Sequence, residues 1–298
     1  MRATGHIRIG VSGWRYPPWR GNFYPTGLAQ ARELAHCGTV FNSLEINGSF
    51  YSLQRPESFR SWAAATPPGF VFALKGPRYI TLMLKLRNVE TPLANFFASG
   101  PLALGDKLGP VLWQFPERFG FDPERLEAFL AMLPHTTGAA LALARQHDQR
   151  LAGRAWLQPV ADRPLRHAVE IRSRSFVDAA FVAMLRRHCV ALVCADTVDW
   201  PRLMDLSADF VYVRLHGSTE LYRSAYSDAE LDRWAGRIAA WASGRPMRDG
   251  TFVTGPDEAP GPRDVYVYFD NTDKLAAPDN AIALMRRLGV GACFPAAA

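Results

Sequence analysis

Arg214 and His216 stand two residues apart in the stretch "DFVYVRLHGS" (209–218), with Gly217 and Ser218 directly after them. Side by side on one face of an extended segment, a guanidinium and an imidazole can hold an anion and move a proton. Ser12, Glu45, Asn47, Lys75, Gln114, Glu170, Arg172, Asp196 and Asp270 sit at or near the C-terminal ends of other short apolar runs. Lys75, Arg172 and Arg214 offer cations for a phosphate or carboxylate, which guanidinium forks bind bidentately. Glu45 or Glu170 offers a general base, and His216 its acid–base partner. Glu170, Asp196, His216 and Asp270 also make an oxygen-rich set suited to Mg²⁺ or Mn²⁺. Against that metal reading, Arg172 and Arg214 share the same faces and repel a cation. Ser218 and Cys194 lack the flanking signatures of hydrolase nucleophiles.

Eight segments read as strands: 7–12, 41–47, 70–75, 110–115, 167–172, 190–196, 209–216 and 265–270. Helical patterns lie between most of them. Leu231, Trp234, Ile238 and Trp241 recur at helical spacing behind a Ser227/Glu230 capping box, and Gly244 follows as a stop. "FVDAAFVAMLRRHC" and "NAIALMRRLG" read the same way, and 138–156 predicts a further helix. Strands alternating with helices imply parallel pairing through right-handed crossovers. Eight such units in 298 residues predict an α/β fold, a single (β/α)8 TIM-like barrel with parallel strands. A doubly wound sheet needs a Gly-rich phosphate turn after its first strand, and "GVSGWRYPPW" supplies only Gly10 and Gly13 before helix-breaking prolines. The expectation is one domain over 1–298, with the barrel at about 7–288 and an exposed insertion at 244–264.

In a closed barrel alternate side chains face the helices or the interior. Val169, Ile171, Val211, Val213, Leu215, Val265, Val267 and Phe269 form the apolar outward set. Parity then turns the polar set inward, at the strand ends where barrel enzymes build their sites. Glu45, Glu170, Asp196 and Asp270 oppose Lys75, Arg172 and Arg214, four negative charges against three positive. A salt-bridge network plugging the barrel would show the same pattern, because buried charges must be paired.

Bulk properties narrow the class. Composition is 48% hydrophobic and 12% aromatic, ordinary for a globular chain. No apolar run is long enough for a membrane span, and "MRATGHIRIGVSGW" lacks the apolar core of a signal peptide. Cys37, Cys189, Cys194 and Cys293 show neither metal nor redox spacing, which reads as buried free thiols in a reducing cytoplasm. The net charge of +6 comes from dispersed arginines, so nucleic-acid binding is a minority reading.

The segments "GVSGWRYPPWRGNFYP", "FNSLEINGSFY", "FALKGPRYIT", "LGPVLWQFP", "VEIRSRSF", "DFVYVRLHG" and "VYVYFDN" resemble, in order, the successive motifs of the YecE-like family, domain of unknown function 72. The resemblance covers about residues 7–288. It implies a TIM barrel in a cytoplasmic microbial protein, with no established reaction. It carries over Ser12, Gly13, Trp14, Glu45, Asn47, Tyr51, Lys75, Arg78, Tyr79, Gln114, Glu170, Arg172, Arg214, His216 and Gly217. Departures are Asp270 where Asn is usual, Leu275 near an expected Gly, Ile171 and Phe176 where Phe and Trp are common, and no His after Thr81. With the family's residues added, Lys75, Arg78, Arg172 and Arg214 clamp a small anion, phosphorylated or sugar-like. Trp14, Tyr51, Tyr79 and Tyr222 wall the pocket, and Glu45, Glu170 and His216 do acid–base chemistry as in a hydrolase, lyase or isomerase. That reading needs no cofactor. The competing readings are a Mg²⁺- or Mn²⁺-dependent sugar isomerase or phosphodiesterase, and a non-enzymatic barrel binding a nucleotide or nucleic acid. None involves a membrane.

Overall fold

The computed structural model describes residues 4–257, 261–271 and 275–293. Its strands are β1 (Ile7–Val11), β2 (Ser43–Ile46), β3 (Val71–Lys75), β4 (Leu108–Gln114), β5 (His167–Glu170), β6 (Ala191–Asp196), β7 (Phe210–Leu215) and β8 (Asp264–Phe269). Its α-helices are α1 (Glu33–Val40), α2 (Gly48–Tyr51), α3 (Pro56–Ala64), α4 (Glu90–Ala98), α5 (Pro123–Ala131), α6 (Thr137–Ala144), α7 (Ala179–Arg187), α8 (Asp228–Ser243) and α9 (Ala276–Leu288). All pairings are parallel, in the order β1-β8-β7-β6-β5-β4-β3-β2. The result is the expected (β/α)8 barrel. The α8 reading holds in detail: Ser227 and Glu230 bond reciprocally, and Gly244 ends the helix in the left-handed region. The β3–β4 register slips next to Pro110, which lacks the N–H a regular ladder needs.

The seam between β1 and β2 closes by other means than a full ladder. Ser12 and Glu45 form a single parallel bridge, and Gly13 N–H donates to the Glu45 carbonyl at 2.9 Å. Below it the Asn42 side chain stands in for a strand backbone. Its Oδ1 accepts from Ile9 N–H at 2.7 Å, and its Nδ2 donates to the Ile7 carbonyl at 3.0 Å. Gly10 makes this approach possible, since a Cβ there would lie 1.8 Å from the Ser43 carbonyl oxygen.

The interior is packed in layers. Tyr212 and Tyr268 fill the middle with rings 5.3 Å apart, opposite the small side chains of Ala73, Ala168, Ala191 and Val193. Tyr268 O–H reaches Ser43 Oγ at 2.7 Å, and Ser43 donates onward to the Val71 carbonyl. Tyr212 O–H instead points up the barrel to Glu45. The outward faces and the helices form the larger apolar core, with Trp19, Trp113, Trp234 and Trp241 fully buried.

Three expectations change. The helix predicted over 138–156 stops at Ala144, because Asp148 caps its own short turn over Gln149–Leu151 and its backbone N–H binds Asn95 Oδ1. Cys189 is exposed, at a left-handed turn after α7, whereas Cys37 and Cys194 are buried. In the stretch 244–264, Val253 N–H and Thr254 N–H donate to the buried Asp205 carboxylate, and Met247 is buried; these parts pack against the barrel.

Gly10→Ala should force β1 away from β2 and cost about 1–3 kcal/mol or more, as overpacking does. Urea denaturation measures this; a variant within about 0.5 kcal/mol of wild type would show a seam that yields freely.

Candidate functional site

Arg214 lies fully buried near the C-terminal end of the barrel interior. Its Nε donates to Glu45 Oε2 at 3.1 Å and its Nη2 to Glu45 Oε1 at 2.8 Å, a bidentate fork. Nη1 donates to Glu170 Oε2 at 2.6 Å, and Nη2 also reaches Asp270 Oδ2 at 2.9 Å and Ser12 Oγ at 3.1 Å. Groups from four other strands or their ends thus converge on one guanidinium. Glu45 has both oxygens engaged, receiving Ser12 O–H and Tyr212 O–H as well. Burial raises the Tyr212 phenol far above its ordinary range, and the neighbouring Glu45 charge raises it further, so this group stays a donor.

Glu170 is the second hub. Its Oε1 accepts from Arg172 Nε and Nη2, at 3.2 and 3.1 Å, and its Oε2 from Arg214. Although burial opposes it, the charges of Arg214 and Arg172 hold the carboxyl well below its usual range. His216 is fully buried with Nε2 3.3 Å from Glu170 and Nδ1 3.2 Å from Asp270 Oδ2, the latter out of hydrogen-bond alignment. Asp270 is likewise held ionised, Arg214 outweighing its burial. Its Oδ1 has no bond to a described residue.

Two aromatic side chains cover this end. The Arg172 guanidinium stacks 3.7 Å over Trp200, and Trp200 meets His216 edge-on at 5.3 Å. Tyr222 packs on His216 at 5.4 Å and accepts from Arg172 Nη2 through its hydroxyl at 3.1 Å. Gly217, at φ 106, lets the loop fold back, since a Cβ there would lie 2.5 Å from the Glu220 carbonyl oxygen. Tyr222 itself is left-handed at φ 62, backbone strain spent on seating this ring.

Lys75 stands apart from the network. It is 8% exposed, with Nζ 4.3 Å over the Phe50 ring. Among the described residues no carboxylate comes within 4 Å of it and no acceptor takes its protons. Burial, reinforced by the Arg214 charge, lowers its ammonium to about 8. Gln114, the neighbouring inward residue, has a buried Oε1 with no partner among the described residues. Asn47 is fixed to Ser12 Oγ at 3.0 Å. On the rim, Arg78 covers the ring of Tyr51 at 5.3 Å; Tyr51 and Tyr79 are 64% and 39% exposed. A cleft of about 280 Å³ opens beside the seam, lined by Trp14, Arg15, Tyr16, Asn47, Gln54 and Trp62. Trp14 therefore walls this side cleft, and Tyr51 and Tyr79 line a second one of about 190 Å³.

The inward parity assigned to Ser12, Glu45, Lys75, Gln114, Glu170, Arg214, His216 and Asp270 matches the structure. Asp196 is a correction. It faces the helices, accepting from Trp234 Nε1 at 3.1 Å and Arg202 Nη1 at 2.6 Å, while Ala191, Val193 and Ala195 face inward. Both faces of β6 are apolar for most of its length, so alternation could not orient it. The four-residue metal shell consequently does not assemble, and no group of three or more metal-ligating side chains occurs among the described residues. Arg214 is the second correction: its nitrogens are all engaged by protein groups below the mouth, so it does not clamp an anion there. With Asp196 removed, Glu45, Glu170 and Asp270 balance Lys75, Arg172 and Arg214 to zero. No periodicity marks Trp200 or Phe50 as site residues; the one signal is that Trp200 follows β6 in a loop at the site's end of the barrel.

Fold and site together define a TIM-type barrel with an ionic network closing its C-terminal mouth. The chain belongs to the DUF72 family: the family model described as "Protein of unknown function DUF72" matches residues 8–297. It is similar to the UPF0759 protein YecE of Escherichia coli (strain K12), 32% identical over 132 residues, 43% of this chain and 44% of that one. It is also similar to the UPF0759 protein YunF of Bacillus subtilis (strain 168), 27% identical over 53% of this chain and 61% of that one. These matches span about half the length of those relatives. A DUF72 family crystal structure from Thermotoga maritima superposes with a TM-score of 0.70 at 22% identity, covering 95% of this chain and 99% of the other. One from Enterococcus faecalis gives 0.65 at 18% identity, covering 96% and 99%. These two likenesses support the fold. No helix among the described residues is long and apolar enough to cross a membrane.

Arg214→Met should leave Glu45, Glu170 and Asp270 without their shared cation and cost about 3–5 kcal/mol of stability. Chemical denaturation at neutral pH gives the value. A loss under about 1 kcal/mol would mean the carboxylates find other partners or protonate at little cost.

Proposed function

We propose that the barrel mouth is an enzyme site for a small anionic ligand, phosphorylated or sugar-like. The observation that carries this is Lys75, a buried cation beside a saturated network, with no carboxylate within 4 Å among the described residues. A buried charge left without a protein counterion is costly, and an anion from solution would supply the missing partner. Arg172 and Arg78 stand at the same end to share the anion's charge, and the Gln114 amide offers a neutral polar contact. Of the carboxylates, Asp270 rather than Glu45 or Glu170 keeps an oxygen unclaimed among described residues, so it takes the general-base role. His216, in contact with Asp270 and Glu170 and covered by Trp200 and Tyr222, is its proton-relay partner.

Inorganic phosphate or a sugar phosphate should raise the melting temperature of the wild type, and Lys75→Met should lose that rise. No rise in the wild type, or the same rise in both proteins, would remove the anion site. Lys75 also gives stability a pH signature. Its folded pKa, about 8, lies below the unfolded value of about 10.4. Between these the unfolded chain binds more protons, so wild-type stability should rise with pH relative to Lys75→Met, by on the order of 3 kcal/mol. Denaturation midpoints of the two proteins from pH 7.5 to 10.5 test this; parallel curves would place Lys75 in contact with water.

A further inference from the structure

Arginine serves for nearly every cation in this chain. Of the 34 basic residues four are lysines, Lys75, Lys85, Lys107 and Lys274. Lys107 Nζ is taken up by the Ala63 carbonyl and by the Thr66 carbonyl and hydroxyl, and Lys85 is exposed at a left-handed turn. Lys274 lies outside the described residues. Lys75 alone of the other three faces the barrel interior, and arginine would serve there if charge were all the position required. Guanidinium is always protonated and is no nucleophile, whereas an amine can lose its proton and attack. The surroundings favour the neutral amine: the Phe50 ring lies against Nζ, the Arg214 charge is close, and Glu45, Glu170 and Asp270 are committed to Arg214.

We propose that Lys75 is a carbonyl-trapping amine, forming an imine with a small aldehyde or ketone that also carries a phosphate or carboxylate. This rests on the reading of the mouth as an anion site and names its substrate class. In the step, the Nζ lone pair attacks the carbonyl carbon and the C=O π pair moves to oxygen, which takes a proton. The nitrogen gives up a proton, to Asp270 Oδ1 or to water. The carbinolamine hydroxyl then takes up the proton the nitrogen released and leaves as water while the nitrogen lone pair forms C=N, and the iminium returns its last N–H proton to the water that supplied the one taken by oxygen. The sum is amine plus carbonyl giving imine plus water, with no change of oxidation state. Desolvation and a neighbouring cation are the two devices by which proteins make lysine nucleophilic near neutral pH. The lowered Lys75 pKa, about 8, agrees with both acting here. Arg172 and Arg78 would share the substrate's anion with the protonated Lys75, and would keep it once the neutral Nζ turns to the carbonyl.

The test incubates the full chain with pyruvate or with glyceraldehyde 3-phosphate, reduces with cyanoborohydride, and reads intact mass and lysine-containing peptides. One adduct per chain is expected, at Lys75, in at least tenfold excess over Lys85 and Lys107, with labelling rising between pH 7 and 8.5. Lys75→Arg should abolish that adduct while keeping the phosphate-induced melting shift. Labelling spread evenly over the lysines, or absent from Lys75 with both compounds, overturns the proposal. The wild-type peptide map decides this even if Lys75→Arg does not fold. A phosphate shift without trapping refutes the imine and leaves the anion site, whereas trapping without any anion shift supports the imine and refutes the anion site.

Discussion

Burying a guanidinium in a barrel interior costs several kcal/mol unless its charge and its N–H donors are all answered. Arg214 is answered by Glu45, Glu170 and Asp270, with Ser12 taking a further donor. These groups come from β1, β2, β5, β7 and the end of β8, so the network can form only when the barrel has closed in register. A slip of one residue on any of these strands would turn its polar or charged group outward into the apolar layer. The hydrophobic layers hold the strands together; the ionic layer specifies which arrangement of them is acceptable.

The same network divides the mouth into working and structural parts. Charges that meet on Arg214 neutralise one another and lock their side chains. Tyr212 extends the lock downward to the tyrosine pair in the middle of the barrel. Among the described residues, what remains unclaimed is the Lys75 amine, one Asp270 oxygen, the Gln114 amide, His216 Nδ1, the Arg78 guanidinium and the part of Arg172 not taken by Glu170 and Tyr222. Chemistry at this site must be assembled from those groups, against a background that cannot rearrange without exposing unpaired charge.

Strand positions and the inward polar set were legible in the sequence because β-branched and aromatic residues alternate with charges on β2, β5, β7 and β8. A charge on a strand otherwise apolar on one face has only one parity available. β6 lacked that contrast, and "ALVCAD" gave Asp196 no face. The role of Arg214 was not legible either. Pattern places an arginine on a face, but whether it is saturated depends on how many carboxylates converge from strands distant in sequence. Helix ends were lost for a similar reason: Asn95 draws the backbone at Asp148 out of the helix that 138–156 would otherwise continue. The aromatic cover of His216 depends on loop conformations, set by Gly217 and by the left-handed Tyr222, that no periodicity encodes.

The Asn42 amide has a consequence for how the barrel breathes. Elsewhere the strands are joined by runs of main-chain bonds, which share any strain along several residues. Between β1 and β2 the junction rests on one side chain, one bridge and the Glu45 carbonyl. Hydrogen exchange at Ile9 and Gly13 should therefore report opening of this seam. The Trp14–Trp62 cleft lies directly beside it. A ligand wedged there would be felt along a strand junction that is held without a main-chain ladder.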